Sequence, residues 1–192
     1  MEKPVAAEKA RRARNWDGLA AVLAALIGCL ALAVSAYTAF IQRQQVRAQV
    51  WPYLLAGNDD GNQSVFVYNK GVGPAIVRTA QLFVDDKPQP DWEHALAALG
   101  LPTKGYVQAT LNPNVISAGE QVRVIHVPDE GRWRAFREAA VGRMTLDVCF
   151  CSTLDECWMY SDRHLVGYKA IGQLVHPVGR CPRLPDADIF NN

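Results

Sequence analysis

Hydrophobic positions follow two patterns along this chain. From Leu19 to Ile41, 20 of 23 residues are hydrophobic, only Gly28, Ser35 and Thr38 falling outside the set, and no charge interrupts the run. At about 1.5 Å per residue, a helix of this length reaches about 34 Å, enough to cross a hydrocarbon core of about 30 Å. Its ten Leu, Ile, Val and Phe residues contribute about −3 to −6 kcal/mol on an insertion scale. The run therefore predicts a transmembrane helix over 19–41. The polar segment Gln42 to Val50 lacks strand alternation and predicts a helical stalk continuing out of it.

After the stalk the period changes. Short apolar or alternating runs cover 51–57, 64–69, 75–85, 106–111, 120–127, 143–151 and 156–162, separated by turn sequences such as Asn58-Asp59-Asp60-Gly61-Asn62, Asp85-Asp86-Lys87-Pro88 and Ser117-Ala118-Gly119. Two segments break the pattern as short helices. Asp91 to Leu99 begins with an N-cap residue and stops at Gly100, and Arg132 to Ala140 lies between Gly131 and Gly142. Seven strands with two helical excursions predict a mainly β fold, an immunoglobulin-like antiparallel β-sandwich over 51–175. Residues 176–192, rich in proline and turn formers, predict a C-terminal strap or loose tail.

Charge then orients the chain. Lys3, Lys9, Arg11, Arg12 and Arg14 precede the span, whereas only Arg43 and Arg47 follow it closely, which places the 1–18 tail in the cytoplasm. Trp16 lies at the inner boundary, with Tyr37 and Trp51 at or beyond the outer one. A cleaved signal peptide competes with the anchor, since Ala31-Leu32-Ala33 and Val34-Ser35-Ala36 are small-residue sites, but its apolar region exceeds the usual 7–15 residues. Both readings export the larger domain. The expected location is the inner membrane of a bacterium, single-pass, with the C-terminal domain periplasmic. The chain carries 20 Lys and Arg against 19 Asp and Glu, so nucleic acid is not an expected partner.

Within the span, Ala20, Ala24 and Gly28 form a stripe at four-residue spacing. Such stripes let helices approach closely, so a homo-oligomer through this face is one expectation, set against alanine as simple filler. Cys29 reads as another small residue.

Asn69-Lys70-Gly71-Val72-Gly73-Pro74-Ala75 joins two strong strand runs. Gly71 and Gly73 permit positive φ, and Pro74 lacks an amide donor, so the segment reads as a bulged structural crossover. A phosphate loop is the sharper alternative, but no Lys-Ser/Thr completes it. Together with the stalk step Gln44-Gln45-Val46-Arg47-Ala48-Gln49-Val50-Trp51-Pro52 and the Cys149 to Trp158 hairpin, this motif resembles a group of uncharacterised bacterial single-pass membrane proteins. That resemblance, over roughly residues 10–160, implies a basic tail, one transmembrane helix and an extracytoplasmic β-domain. It implies no activity.

Cysteines are the strongest chemical signal. Between Arg143 and Cys151, period two puts Cys149 and Cys151 on the polar face, opposite Met144, Leu146, Val148 and Phe150. Outside the cytoplasm, Cys149, Cys151, Cys157 and Cys181 are expected to form disulfides, with three connectivities open. Cys151–Cys157 would close the hairpin around 152–156 while Cys149–Cys181 pins the tail. Pairing Cys149 with Cys157 is the near competitor. A metal site lacks a standard ligand spacing, and Cys-x-x-Cys is absent.

No motif supplies a nucleophile, a base or a cofactor cradle. His94, His126, His164 and His176 are scattered, and Asp59-Asp60-Gly61-Asn62 lacks the alternating ligands of a calcium loop. The chain is expected to have no cofactor and no catalytic or metal site, and to act as a membrane-anchored interaction protein with a partner in the cell envelope. An envelope redox enzyme using Cys149, Cys151 and Cys157, and an oligomerising membrane effector, are the alternatives.

Overall fold

The computed structural model describes residues 4–163, 174–185 and 188–190. His164 lies outside them. The chain forms two units, Met1–Val46 and Arg47–Asn192.

The first unit is helical. α1 runs from Pro4–Gln49 without a break, and its stretch from Gly18 onward is long and apolar enough to cross a membrane. The two hydroxyls in the apolar run turn back onto their own helix, Ser35 Oγ donating to the Ala31 carbonyl at 2.8 Å and Thr38 Oγ1 to the Val34 carbonyl at 2.9 Å. Neither then needs water, which is the condition for a polar side chain in lipid. Ala20, Ala24 and Gly28 are exposed along this helix.

The larger unit contains two antiparallel sheets. One has the order β1(Leu54–Asp59), β2(Ser64–Asn69), β7(Gln121–His126), β5(Val107–Gln108). The other has the order β10(Val175–Val178), β9(Cys157–Ser161), β8(Met144–Cys151), β3(Ala75–Val84), β4(Lys87–Gln89), with β6(Asn114–Ile116) on β3 beside β4's end of the sheet. Their inner faces share one core, to which Leu54, Val67 and Val124 come from the first sheet and Val77, Leu82, Val148 and Phe150 from the second. Asp85 and Asp86, both at positive φ, form the two-residue hairpin turn between β3 and β4 that the right-handed twist of paired strands favours.

Both helices start where their caps dictate. Asp91 accepts from the His94 amide at 2.9 Å ahead of α2(Trp92–Ala98), and Asp129 accepts from the Arg132 amide at 2.8 Å ahead of α3(Glu130–Ala140). Gly100 and Gly142 follow their ends at positive φ. α3 therefore begins two residues earlier than the sequence places it, with Gly131 inside its first turn. α2 buries Trp92, Ala95 and Leu96, while α3 buries Trp133, Phe136 and Ala140.

The start of β1 and the tail also depart from the sequence reading. β1 starts at Leu54 because residues 51–53 bond to the Asn69 loop instead of a neighbouring strand. The tail enters the second sheet as β10, pairing with β9 from Val175↔Tyr160 to Val178↔Cys157, despite Pro177. An edge strand tolerates proline because one side of its ladder needs no donor.

Candidate functional site

The glycine-rich loop is structural, but not through positive φ. Asn69 is fully buried, and its side chain is fully used. Nδ2 donates to the carbonyls of Gly73 at 2.8 Å and Ile116 at 2.9 Å, while Oδ1 accepts from the amides of Gly71 at 2.9 Å and Tyr53 at 3.2 Å. Neither Gly71 nor Gly73 is in the positive-φ region. They are glycine because a Cβ at Gly71 would overlap the Trp51 carbonyl and one at Gly73 would overlap Val50. Pro74 then leads into β3, whose first residue, Ala75, pairs with Ile116. With its amides bonded to Asn69 Oδ1 and to the Trp51 and Tyr53 carbonyls, this loop presents no cradle for a phosphate.

The cysteines form two adjoining disulfides, Cys149–Cys181 and Cys151–Cys157. The first ties the tail to the centre of the second sheet, and the second closes the β8–β9 hairpin. Polar-face exposure fails here. Cys149 is 0% and Cys151 3% exposed, because β8 lies between β3 and β9 and the tail covers the face that alternation left for water. The two bridges touch, Cys151 Sγ lying 3.7 Å from Cys181 Sγ. Around them is a cleft of about 720 Å³ that takes in Arg78, Arg180 and Arg183, with Asp155 paired to Arg78 at 3.4 Å. The sulfurs of Cys151, Cys157 and Cys181 lie within 4.8 Å of one another. As disulfides they offer no thiolate, so a metal could bind only after reduction.

A second cavity, of about 380 Å³, lies between the sheets. Ala56, Val65 and Val124 line it from one side, Leu82, Met144 and Leu146 from the other, with Trp92 of α2, Ala140 of α3 and Phe190 of the tail. Phe190 meets Trp92 edge-on at 5.4 Å, and its amide donates to the Ala80 carbonyl at 2.9 Å. Several polar groups interrupt the apolar lining. Trp92 Nε1 and Thr145 Oγ1 are buried without a hydrogen-bond partner among the described residues. Asp162 accepts from the Leu146 amide at 2.6 Å, yet burial, the largest influence, pushes its carboxyl up to about 6. Tyr160 is raised for the same reason, with the Asp162 charge beside it adding to the effect. Arg137, at the rim, is paired to Asp60 at 3.1 Å, and Asp60 also accepts from Trp133 Nε1 at 3.0 Å.

Among the described histidines, His94 serves a cap and His126 a turn. His94 contacts its N-cap Asp91 at 2.8 Å, His126 contacts the Asn62 carbonyl at 2.9 Å, and His176 lies in edge strand β10. Asp59 closes its own turn by accepting from the amide and side chain of Asn62, and the side-chain bond is the chief cause of its lowered pKa. No motif signals the shared lining by Trp92, Thr145 and Asp162, which lie far apart in the chain. Phe190, the one Phe, Tyr or Trp in residues 176–192, was its one available signal. Compared with protein-family models, curated proteins and solved structures, the chain matches none.

Proposed function

We propose that this chain is a non-catalytic, membrane-anchored binding protein whose larger unit works outside the cytoplasm, as an accessory component of a bacterial cell-envelope complex. The observation that carries the binding reading is the inter-sheet cavity. Its volume falls in the 300–1,000 Å³ range of small-ligand sites, its walls are mainly apolar, and the buried Trp92 in its lining leaves its indole N–H without an acceptor among the described residues. A buried donor without a partner costs about 1–3 kcal/mol.

The fold and location belong to the same proposal. The order β1-β2-β7-β5 beside β9-β8-β3-β4 corresponds to the A-B-E-D and G-F-C-C′ sheets of an immunoglobulin-like sandwich, and supports that assignment. Two disulfides favour an oxidising compartment, and the basic tail before an apolar helix favours a cytoplasmic N-terminus.

Native mass spectrometry of the full chain, released gently from membranes, tests the reading. A small molecule retained by the native protein and lost from Ala140→Phe, which fills the cavity, is the expected result. The same small molecule retained by both proteins, or none retained by the native protein, would remove the cavity from the account.

A further inference from the structure

We infer that the two disulfides form an exchange relay, in which a dithiol partner reduces the outer bridge and the inner bridge moves in response. The geometric basis is the contact between bridges that are not bonded to each other: Cys151 Sγ is 3.7 Å from Cys181 Sγ, close to van der Waals contact. A thiolate released at Cys151 starts within reach of the sulfur it would attack. Accessibility gives the order. Cys149 and Cys151 are buried, whereas Cys157 is partly exposed and lines the open cleft. The guanidinium groups of Arg78, Arg180 and Arg183 line the same cleft and favour thiolates over thiols there, with Asp155 offsetting part of that charge through its pair with Arg78.

The steps balance. A thiolate of the partner attacks Cys157 Sγ, forming a mixed disulfide and breaking Cys151–Cys157, so that the electron pair leaves on Cys151. The Cys151 thiolate attacks Cys181 Sγ, the Cys151–Cys181 bond forms, and Cys149 departs as thiolate. The partner's second thiol resolves the mixed disulfide, releasing Cys157. Two electrons and two protons have then passed from the dithiol to Cys149 and Cys157, and the partner is oxidised to its disulfide. The tether of the tail shifts by two residues along β8, about 6–7 Å. That tail carries Phe190 into the cavity wall, so the relay would link the redox state of the envelope to the shape of the cavity.

Differential alkylation of the full-length protein tests this independently of any ligand. One equivalent of dithiothreitol is added, free thiols are blocked with N-ethylmaleimide, the remaining bridges are reduced and labelled with iodoacetamide, and fragmentation locates each label. The relay predicts a two-electron-reduced population with maleimide on Cys149 and Cys157. Maleimide confined to Cys151 and Cys157, or to Cys149 and Cys181, would overturn it. Cys157→Ala isolates the internal step without reductant, because it leaves the Cys151 thiol against an intact inner bridge. A single label divided between Cys149 and Cys151 is expected, and a label on Cys151 alone contradicts the relay.

Discussion

Asn69 and Ile116 are 47 residues apart, yet the Asn69 side chain donates to the Ile116 carbonyl at 2.9 Å. The bond joins the end of β2 in one sheet to β6 in the other, and three further bonds from the same amide hold Tyr53, Gly71 and Gly73. Asn69→Ala leaves several buried backbone groups without partners, and a destabilisation of about 2–4 kcal/mol is expected in denaturant unfolding. Asn69→Asp should be at least as damaging, since a carboxylate would face two carbonyl oxygens.

Glycine substitutions separate close approach from idle space. Gly71→Ala and Gly73→Ala force a methyl into the backbone of residues 50–53, with an expected cost of about 1–3 kcal/mol or more. Gly28→Ala and Gly179→Ala meet no atom within 4 Å and should leave the melting temperature unchanged.

The bridges should differ in worth. By loop entropy, the 6-residue separation of Cys151–Cys157 contributes about 2 kcal/mol, and the 32-residue separation of Cys149–Cys181 about 3–4 kcal/mol. Replacing each pair by alanine and measuring unfolding should show the larger loss on removing the tail tether.

How far the sequence revealed this molecule follows from the range of each interaction. The helix, the hairpin turns and the cap at Asp91 depend on neighbours a few residues away, and their signals are local, whereas the cap at Asp129 was missed because Gly131 read as the helix boundary. The exposure expected for Cys149 and Cys151 came from alternation along one strand. It failed because the covering element is the tail beyond residue 176, held there by Cys149–Cys181, a pairing the sequence left open among three connectivities. Short strands β4, β6 and β10 contain or adjoin proline and asparagine, and only pairing with β3 or β9 makes them strands. The cavity was illegible for the same reason, since Trp92 of α2, Thr145 of β8 and Asp162 after β9 come to one cavity only through tertiary packing.

Stability should depend on Asp162. Its folded carboxyl titrates at about 6, above the ordinary 3.8, so the folded state holds the proton more tightly than the unfolded chain. The resulting stabilisation is complete below about pH 3.8 and is lost as pH rises to about 6, a change of about 3 kcal/mol. Unfolding of the native protein and of Asp162→Asn across pH 4–7 should give a difference curve that falls over this window and is flat above it.

Topology tests the central claim most directly. Cells expressing the chain with an N-terminal epitope are converted to spheroplasts, treated with an impermeant protease and probed for the epitope. A membrane-anchored protein with its larger unit outside should yield a shortened, protected fragment that retains the epitope and α1. A full-length protein resistant from outside, or an epitope already severed from the larger unit before protease is added, would contradict it.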